Sequence, residues 1–133
     1  MKYAIVLNEV PSPDIYPTLL GLLGYSEDIP KDVSGVNHSS LFLTAQGERP
    51  LSQLYMSAVP GREDMGRRGI RTHQYTMMIG KYLDEADQIE LYDNINDPYQ
   101  LNNLSDSRKD LVKDLSDELK IWLEKTHDPW IRH

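Results

Sequence analysis

An α+β fold is predicted by three features of this sequence. Strand-like runs between residues 51 and 93 are each closed by Gly, Pro, Asn or Asp; one long amphipathic helix follows residue 107; and a short helix precedes them both near residues 14–23. Strands in succession followed by one helix bury their apolar faces most simply as an antiparallel sheet with the helix laid across one side. The expected architecture is a small antiparallel sheet of about four strands, a C-terminal amphipathic helix packed across it, and a short N-terminal helix.

Taken in order, Tyr3–Leu7 is a short apolar run that reads as a buried strand, stopped by Asn8 and Pro11-Ser12-Pro13. Asp14 is placed to N-cap a helix carrying Ile15, Leu19, Leu20, Leu22 and Leu23, with Pro17 in its first turn and Gly24 beyond its end. From Tyr25 to Pro50 the chain is rich in turn formers, and Leu41-Phe42-Leu43 is the apolar anchor of a long connection. Leu51–Val59 reads as a strand ended by Pro60-Gly61. A polar segment then leads to Gly69–Thr72, a turn, and the strand-favouring Tyr75–Ile79.

The stretch from Glu90 to Leu104 is a strand end, a turn and a helix entry in one piece. Ile89, Leu91 and Tyr92 supply apolar surface to a strand over 88–93. Asn96, Asp97 and Pro98 stop it, because Asn and Asp close side-chain turns and Pro cannot donate to a ladder. In the last helix Ser107 and Asp110 suggest a capping-box start. Leu111, Leu115, Leu119 and Trp122 share a face flanked by Val112 and Leu123, and Asp128-Pro129 ends the helix so that Trp130-Ile131 folds back.

The 133 residues, 39% hydrophobic, suit a single domain over 1–133 with one modest core. A net charge of −7 argues against nucleic acid or an anionic membrane as partner, since both need a strong positive field. Any anion site is therefore local. The chain contains no cysteine, which excludes disulfides, thiolate metal sites and cysteine nucleophiles. The opening apolar run is too short for a signal peptide and no stretch is long enough for a membrane span, so the chain reads as soluble, with its compartment undetermined.

The most localised chemistry is Arg62, Arg67, Arg68 and Arg71 with His73 beside them: four of the seven arginines fall in ten residues of an acidic chain. Guanidinium forks match sulfate, phosphate or carboxylate oxygens, so this segment is the candidate for anion recognition; the alternative is that these arginines pair with some of the 21 acidic side chains. Asp93, Asn94, Asn96 and Asp97 are read as turn formers. A calcium loop of the EF-hand type wants a Gly and a Glu at places held here by Pro98 and Leu104. The histidines show no paired metal-binding spacing, and no nucleophile elbow, P-loop or dinucleotide fingerprint is present. His38 beside Ser39 and Ser40 lacks a third orienting group in the sequence.

Three segments in order resemble the C-terminal part of the sulfatase family. Asp14-Ile15-Tyr16-Pro17-Thr18-Leu19-Leu20, followed by Gly35-Val36 and Ser39-Ser40-Leu41, is similar to that family's D-I-x-P-T-L-L helix and G-x-S-L connection. Arg68-Gly69-Ile70-Arg71-Thr72 with Tyr75 is similar to its R-x-V-R-T-x-x-Y-K-Y hairpin, with Thr76 where many relatives have Lys. Glu90-Leu91-Tyr92-Asp93, Asp97-Pro98 and Asn103-Leu104 resemble its E-L-Y-D, D-P-x-E/Q, N-L run ahead of the final helix. Residues 1–13 match poorly.

The resemblance implies a four-stranded antiparallel sheet and C-terminal helix packed against a larger α/β domain. That domain would hydrolyse sulfate esters with a formylglycine made from a C/S-x-P-x-R motif and with a bound calcium ion. Both belong to the N-terminal domain. The look-alike here, Ser57-Ala58-Val59-Pro60-Gly61-Arg62, carries Ala58 at the nucleophile's place, so no catalytic or metal-binding residue is assigned to this chain. What carries over is substrate contact: Arg71, Arg68, Arg67 and His73 are the expected contacts to a sulfated sugar or aryl sulfate. The resemblance thus implies a C-terminal subdomain of a sulfatase, inactive alone, whose partner is the N-terminal catalytic domain; the alternative is a stand-alone module binding sulfated glycans. Apolar surface left open at residues 3–7 and 15–23 favours a homo-oligomer.

Overall fold

Strand pairing in the computed structural model, which describes residues 11–33, 35–47 and 52–132, explains how this sequence makes a core. β1 (Ser52–Val59), β2 (Arg62–Thr72), β3 (Tyr75–Lys81) and β4 (Gln88–Asp93) form one antiparallel sheet in the order β1-β2-β3-β4. The register puts Leu54 opposite Ile70, Ile70 opposite Met77 and Met77 opposite Leu91, one apolar row crossing all four strands. Side chains alternate between faces along a strand, so this row fixes which side of the sheet is the core side. Leu115, Leu119 and Leu123 of the C-terminal helix (Lys109–Lys125) close over it, together with Trp130.

The fold is therefore α+β, with the four-stranded sheet, the C-terminal helix and the short N-terminal helix all present. The helices are numbered α1 (Ser12–Leu22), α2 (Ser39–Thr44) and α3 (Lys109–Lys125). The expected strand at 3–7 and the first residue of the expected strand at 51–59 lie outside the described residues.

Several local expectations are corrected. β2 begins at Arg62, not near Gly69, and runs through the polar segment expected to be a connection. The ladder shifts register between Ala58 and Val59, where Gly66 takes φ +95°; a Cβ on Gly66 would run into the Ser57 carbonyl. Leu41-Phe42-Leu43 anchors a short helix, α2, and not an irregular connection. α3 is N-capped by Arg108 without a side-chain cap, because the Ser107 hydroxyl donates to the Leu104 carbonyl and faces away from the helix start. Leu123, expected at the flank, is fully buried, and Trp122 is half-buried with its indole N–H donating to the Ser52 hydroxyl at 3.1 Å.

The outer edge of β4 is closed. The Asn103 side chain accepts from the Leu91 N–H and donates to the Ile89 carbonyl, while the Leu104 N–H reaches the Leu91 carbonyl at 2.8 Å. Beyond α3 the chain folds back as expected: Trp130 is buried, and its indole N–H donates to the Gly66 carbonyl.

The chain falls into two compact units, Met1–Leu51 and Ser52–His133. In the first, α1 is N-capped by Pro11 and not by Asp14. Asp14 is buried in the first turn of the helix, where its carboxylate accepts the Val36 N–H at 2.8 Å and meets His38 Nε2 at 2.9 Å. Thr18 sits one turn further on; its hydroxyl donates to the Val36 carbonyl and accepts the His38 N–H. Asp14, Thr18 and Gly21 thus form the buried side of α1, since residues four and three apart share a helix face. The apolar side, with Ile15, Tyr16, Leu19 and Leu23, is at least half exposed.

Candidate functional site

The face of the sheet away from α3 is built from the alternate residues of the same strands. Gln53, Arg71, Thr76 and Tyr92 form one row across it; Tyr55, Gly69, Met78 and Glu90 form the next; Ser57, Arg67, Gly80 and Gln88 form the third. Two glycines in the middle of adjoining strands leave room for long side chains to lie flat. Gly69 is packed so closely that a Cβ would meet the Met77 carbonyl, and the atoms nearest a Cβ on Gly80 belong to Tyr82 and Arg67.

Parity along β2 sorts the candidate arginines. Arg67 and Arg71, four residues and about 13 Å apart, share this open face. Arg68 points to the opposite side, where it is 2% exposed. Its Nε and Nη2 donate to the Asp128 carboxylate at 2.8 and 3.2 Å, Nη2 also donates to the Glu63 carbonyl, and Nη1 to the Arg67 carbonyl. Every guanidinium nitrogen of Arg68 is engaged in holding the tail after α3 against β2. Burial pushes the Asp128 carboxyl up, but hydrogen bonds from Arg68 and the Trp130 N–H outweigh it and hold the group below the usual carboxylate range.

The remaining arginines differ in what they touch. Arg62, at the start of β2, forks onto its neighbour Asp64. Arg67 is raised above its ordinary value by a hydrogen bond with Tyr82 and by Glu90, whose carboxylate lies 3.1 Å away. Glu90 in turn accepts the Tyr92 hydroxyl at 3.3 Å, and burial with the nearby Glu90 charge raises Tyr92. Arg71 is half-buried and takes part in none of the ion pairs among the described residues. Its Nη1 donates to the Thr76 hydroxyl at 3.4 Å; that hydroxyl donates to Asn94 Oδ1 at 2.7 Å, and the Asn94 amide donates to the Thr72 carbonyl. His73 is exposed in the β2–β3 turn beyond Arg71.

The structure thus brings Arg71 and Arg67 together on one polar face, leaves His73 at its rim, and turns Arg68 to the core side. Sequence reading passed over Gln53, Thr76, Glu90, Tyr92 and Asn94, which complete this face. The signal that would have found the first four is the register, because each stands in the row of an arginine or in the row beside it; Asn94 lies one residue beyond β4. Chemically the face offers, among the described residues, a guanidinium held by a neutral hydroxyl. Beside it a tyrosine-flanked Arg–Glu pair presents both donors and acceptors.

The acidic turn after β4 does not fit a calcium ion. Hydrogen bonds from the Asn96 side chain and from the Asn96 and Ile95 N–H groups lower Asp93, and those from the Leu101 and Asn102 N–H groups lower Asp97. Among the described residues no group of three or more His, Cys, Asp or Glu side chains is placed to hold a metal.

Residues 4–128 match the family described as N-sulphoglucosamine sulphohydrolase, C-terminal. The chain belongs to this family. The chain is 38% identical over 135 residues to an endo-4-O-sulfatase of Bacteroides thetaiotaomicron, covering 90% of the chain and 26% of that protein. It is 35% identical over 107 residues to an ulvan-active sulfatase of Formosa agariphila, covering 77% of the chain and 20% of that protein. A solved Bacteroides thetaiotaomicron structure, from the metabolism of multiple glycosaminoglycans, superposes with a TM-score of 0.77 at 36% identity, over 91% of this chain and 28% of the other. The chain therefore spans about a quarter of the length of the relatives it matches.

Proposed function

We propose that this chain serves as the C-terminal part of a sulfuric ester hydrolase acting on a sulfated sugar, and that Arg71 is its contact to the substrate's sulfate. The observation that carries this reading is the state of Arg71. Among the described residues it is the arginine of the 62–71 cluster held by a neutral hydroxyl and not by a carboxylate. A guanidinium already neutralised by an acid has little to gain from a sulfate, whereas one braced by Thr76 and Asn94 is oriented and still charged. Arg67, with Glu90, is suited to sugar hydroxyls. Arg68 acts behind the same strand by fixing the tail, and His73 borders the face.

A sulfated sugar is favoured over an aryl sulfate by the family description, which names a sulphoglucosamine, and by the relative from glycosaminoglycan metabolism. In this reading the formylglycine and calcium belong to the larger part of the enzyme, and this chain contributes recognition without hydrolysing the ester alone.

The test is Arg71→Ala in a sulfatase carrying this chain as its C-terminal part. Loss of a charge-assisted hydrogen bond raises KM for the sulfated sugar roughly ten- to hundredfold, with kcat little altered. An unchanged KM would remove Arg71 from the site. Titration of the isolated chain with a sulfated disaccharide separates a contributing face, which binds too weakly alone to saturate, from a self-sufficient binding module.

A further inference from the structure

The sheet offers Glu90 two arginines, and among the described residues it pairs with one. On β4 it stands between Gln88, which ends the row of Arg67, and Tyr92, which ends the row of Arg71. By register each guanidinium is two strands away and one row over. What differs is the strand between. In the Arg67 row that strand carries Gly80, where an added Cβ would lie 3.0 Å from the Tyr82 ring and touch Arg67 Cγ at 3.6 Å, so glycine leaves room for both side chains to lie over the strand. In the Arg71 row it carries Thr76, whose hydroxyl Arg71 meets. Arg67 Nη2 accordingly reaches Glu90 Oε1 at 3.1 Å, and Oε2 accepts the Tyr92 hydroxyl at 3.3 Å. Both carboxylate oxygens are engaged, yet the pair keeps a surface: the Arg67 side chain is 37% exposed and that of Glu90 24%.

We propose that Glu90 is a specificity-determining residue which, by neutralising Arg67, selects a substrate whose rings beyond the sulfate are uncharged and bear hydroxyls, and disfavours one carrying a carboxylate there. The inference deepens the proposed function and rests on its reading of Arg71 as the sulfate contact. A guanidinium–carboxylate pair both donates and accepts, as sugar hydroxyls do. A second anion gains little from it, because Arg67 is already paired and the Glu90 charge stands beside it and repels. Placing a like charge against the wrong ligand is a recognised way to discriminate. Without that charge, the planar fork of Arg67 matches a carboxylate.

The experiment uses a sulfatase carrying this chain as its C-terminal part, and two sulfated oligosaccharides identical except that their unsulfated rings bear hydroxymethyl groups in one and carboxylates in the other. The quantity read is the ratio of the two kcat/KM values, which does not depend on how much of a variant is folded. Glu90→Gln keeps the shape and an acceptor for Tyr92 but removes the charge. It is expected to raise the carboxylate substrate relative to the neutral one by about fivefold or more, and by less as salt is added. Combining it with Arg67→Ala reverses most of that gain, because the released guanidinium is what holds the carboxylate. A Glu90 that only supports the sheet moves both substrates together. An unchanged ratio therefore overturns the proposal, as does a gain that Arg67→Ala leaves in place. Arg71→Ala measured alongside keeps the two readings apart. A raised KM there with a ratio that Glu90→Gln does not move removes Glu90 and keeps Arg71; an unchanged KM with a shifted ratio removes Arg71 and keeps Glu90.

Discussion

Arg68 and Arg71 stand three residues apart on β2, carry the same group, and have opposite fates. The odd spacing sends them to opposite faces of one sheet. On the α3 side, Arg68 is enclosed, forked onto Asp128 and bonded to two carbonyls. On the open side, Arg71 donates to the Thr76 hydroxyl and is in none of the ion pairs among the described residues. The difference teaches that an arginine's role here is set by what the opposing strands and the tail place against it, not by its membership of a charged cluster. One face turns the guanidinium into a structural clamp; the other sets it against a neutral hydroxyl.

The largest effect expected from breaking this contrast is at the enclosed arginine. Arg68→Ala strands the Asp128 carboxylate, 8% exposed, without its partner, and removal of one member of a buried pair costs about 3–5 kcal/mol. The tail carrying Trp130 is released with it, since Trp130 is bonded to Gly66 on the same strand. Equilibrium urea unfolding checks this. A loss comparable to that of a surface substitution would show that the clamp carries little of the stability.

A smaller effect lies in the pH dependence of the same pair. Asp128 is held below its unfolded value of about 3.9, so its contribution is present above that value and is lost as pH falls through the lower folded value. Asp128→Asn is expected to be less stable by about 1.5–3 kcal/mol at neutral pH, the range for a hydrogen bond to a charged group. Its acid limb is flatter, so the two stability curves converge below about pH 4. Parallel curves would mean that Asp128 does not titrate with unfolding.

These contrasts also mark what was legible in the sequence. β4, α3 and the returning tail were readable because their apolar spacing and their stops are local. The start of β2 was not: on its core side stands Arg68, where alternation calls for an apolar residue, and the residue that satisfies it lies 60 positions away at Asp128. Asp14 failed as a helix cap for the same kind of reason, since its partner is His38, 24 residues on. The arginine cluster could be located from sequence as a segment, but not divided. Division needed the register that sets Thr76 and Tyr92 beside Arg71, and Gly80 and Gln88 beside Arg67.

The smallest expected effect on folding is at Arg71, and its smallness is what sharpens the comparison. Arg71→Ala leaves no charge unpaired, because the partner it loses is a hydroxyl that is still bonded to Asn94 at 2.7 Å. Thr76 therefore stays satisfied, and the change in unfolding free energy is expected to be about 1 kcal/mol, the size of one hydrogen bond at a half-buried position. Thermal or urea unfolding of Arg71→Ala beside Arg68→Ala checks this directly. A residue that can be removed with so little cost to the fold, on a face whose neighbours hold it in place, is free to be used for recognition. If Arg71→Ala instead destabilised the chain as much as Arg68→Ala, the two faces would share one structural role, and the open face would lose its claim to the substrate.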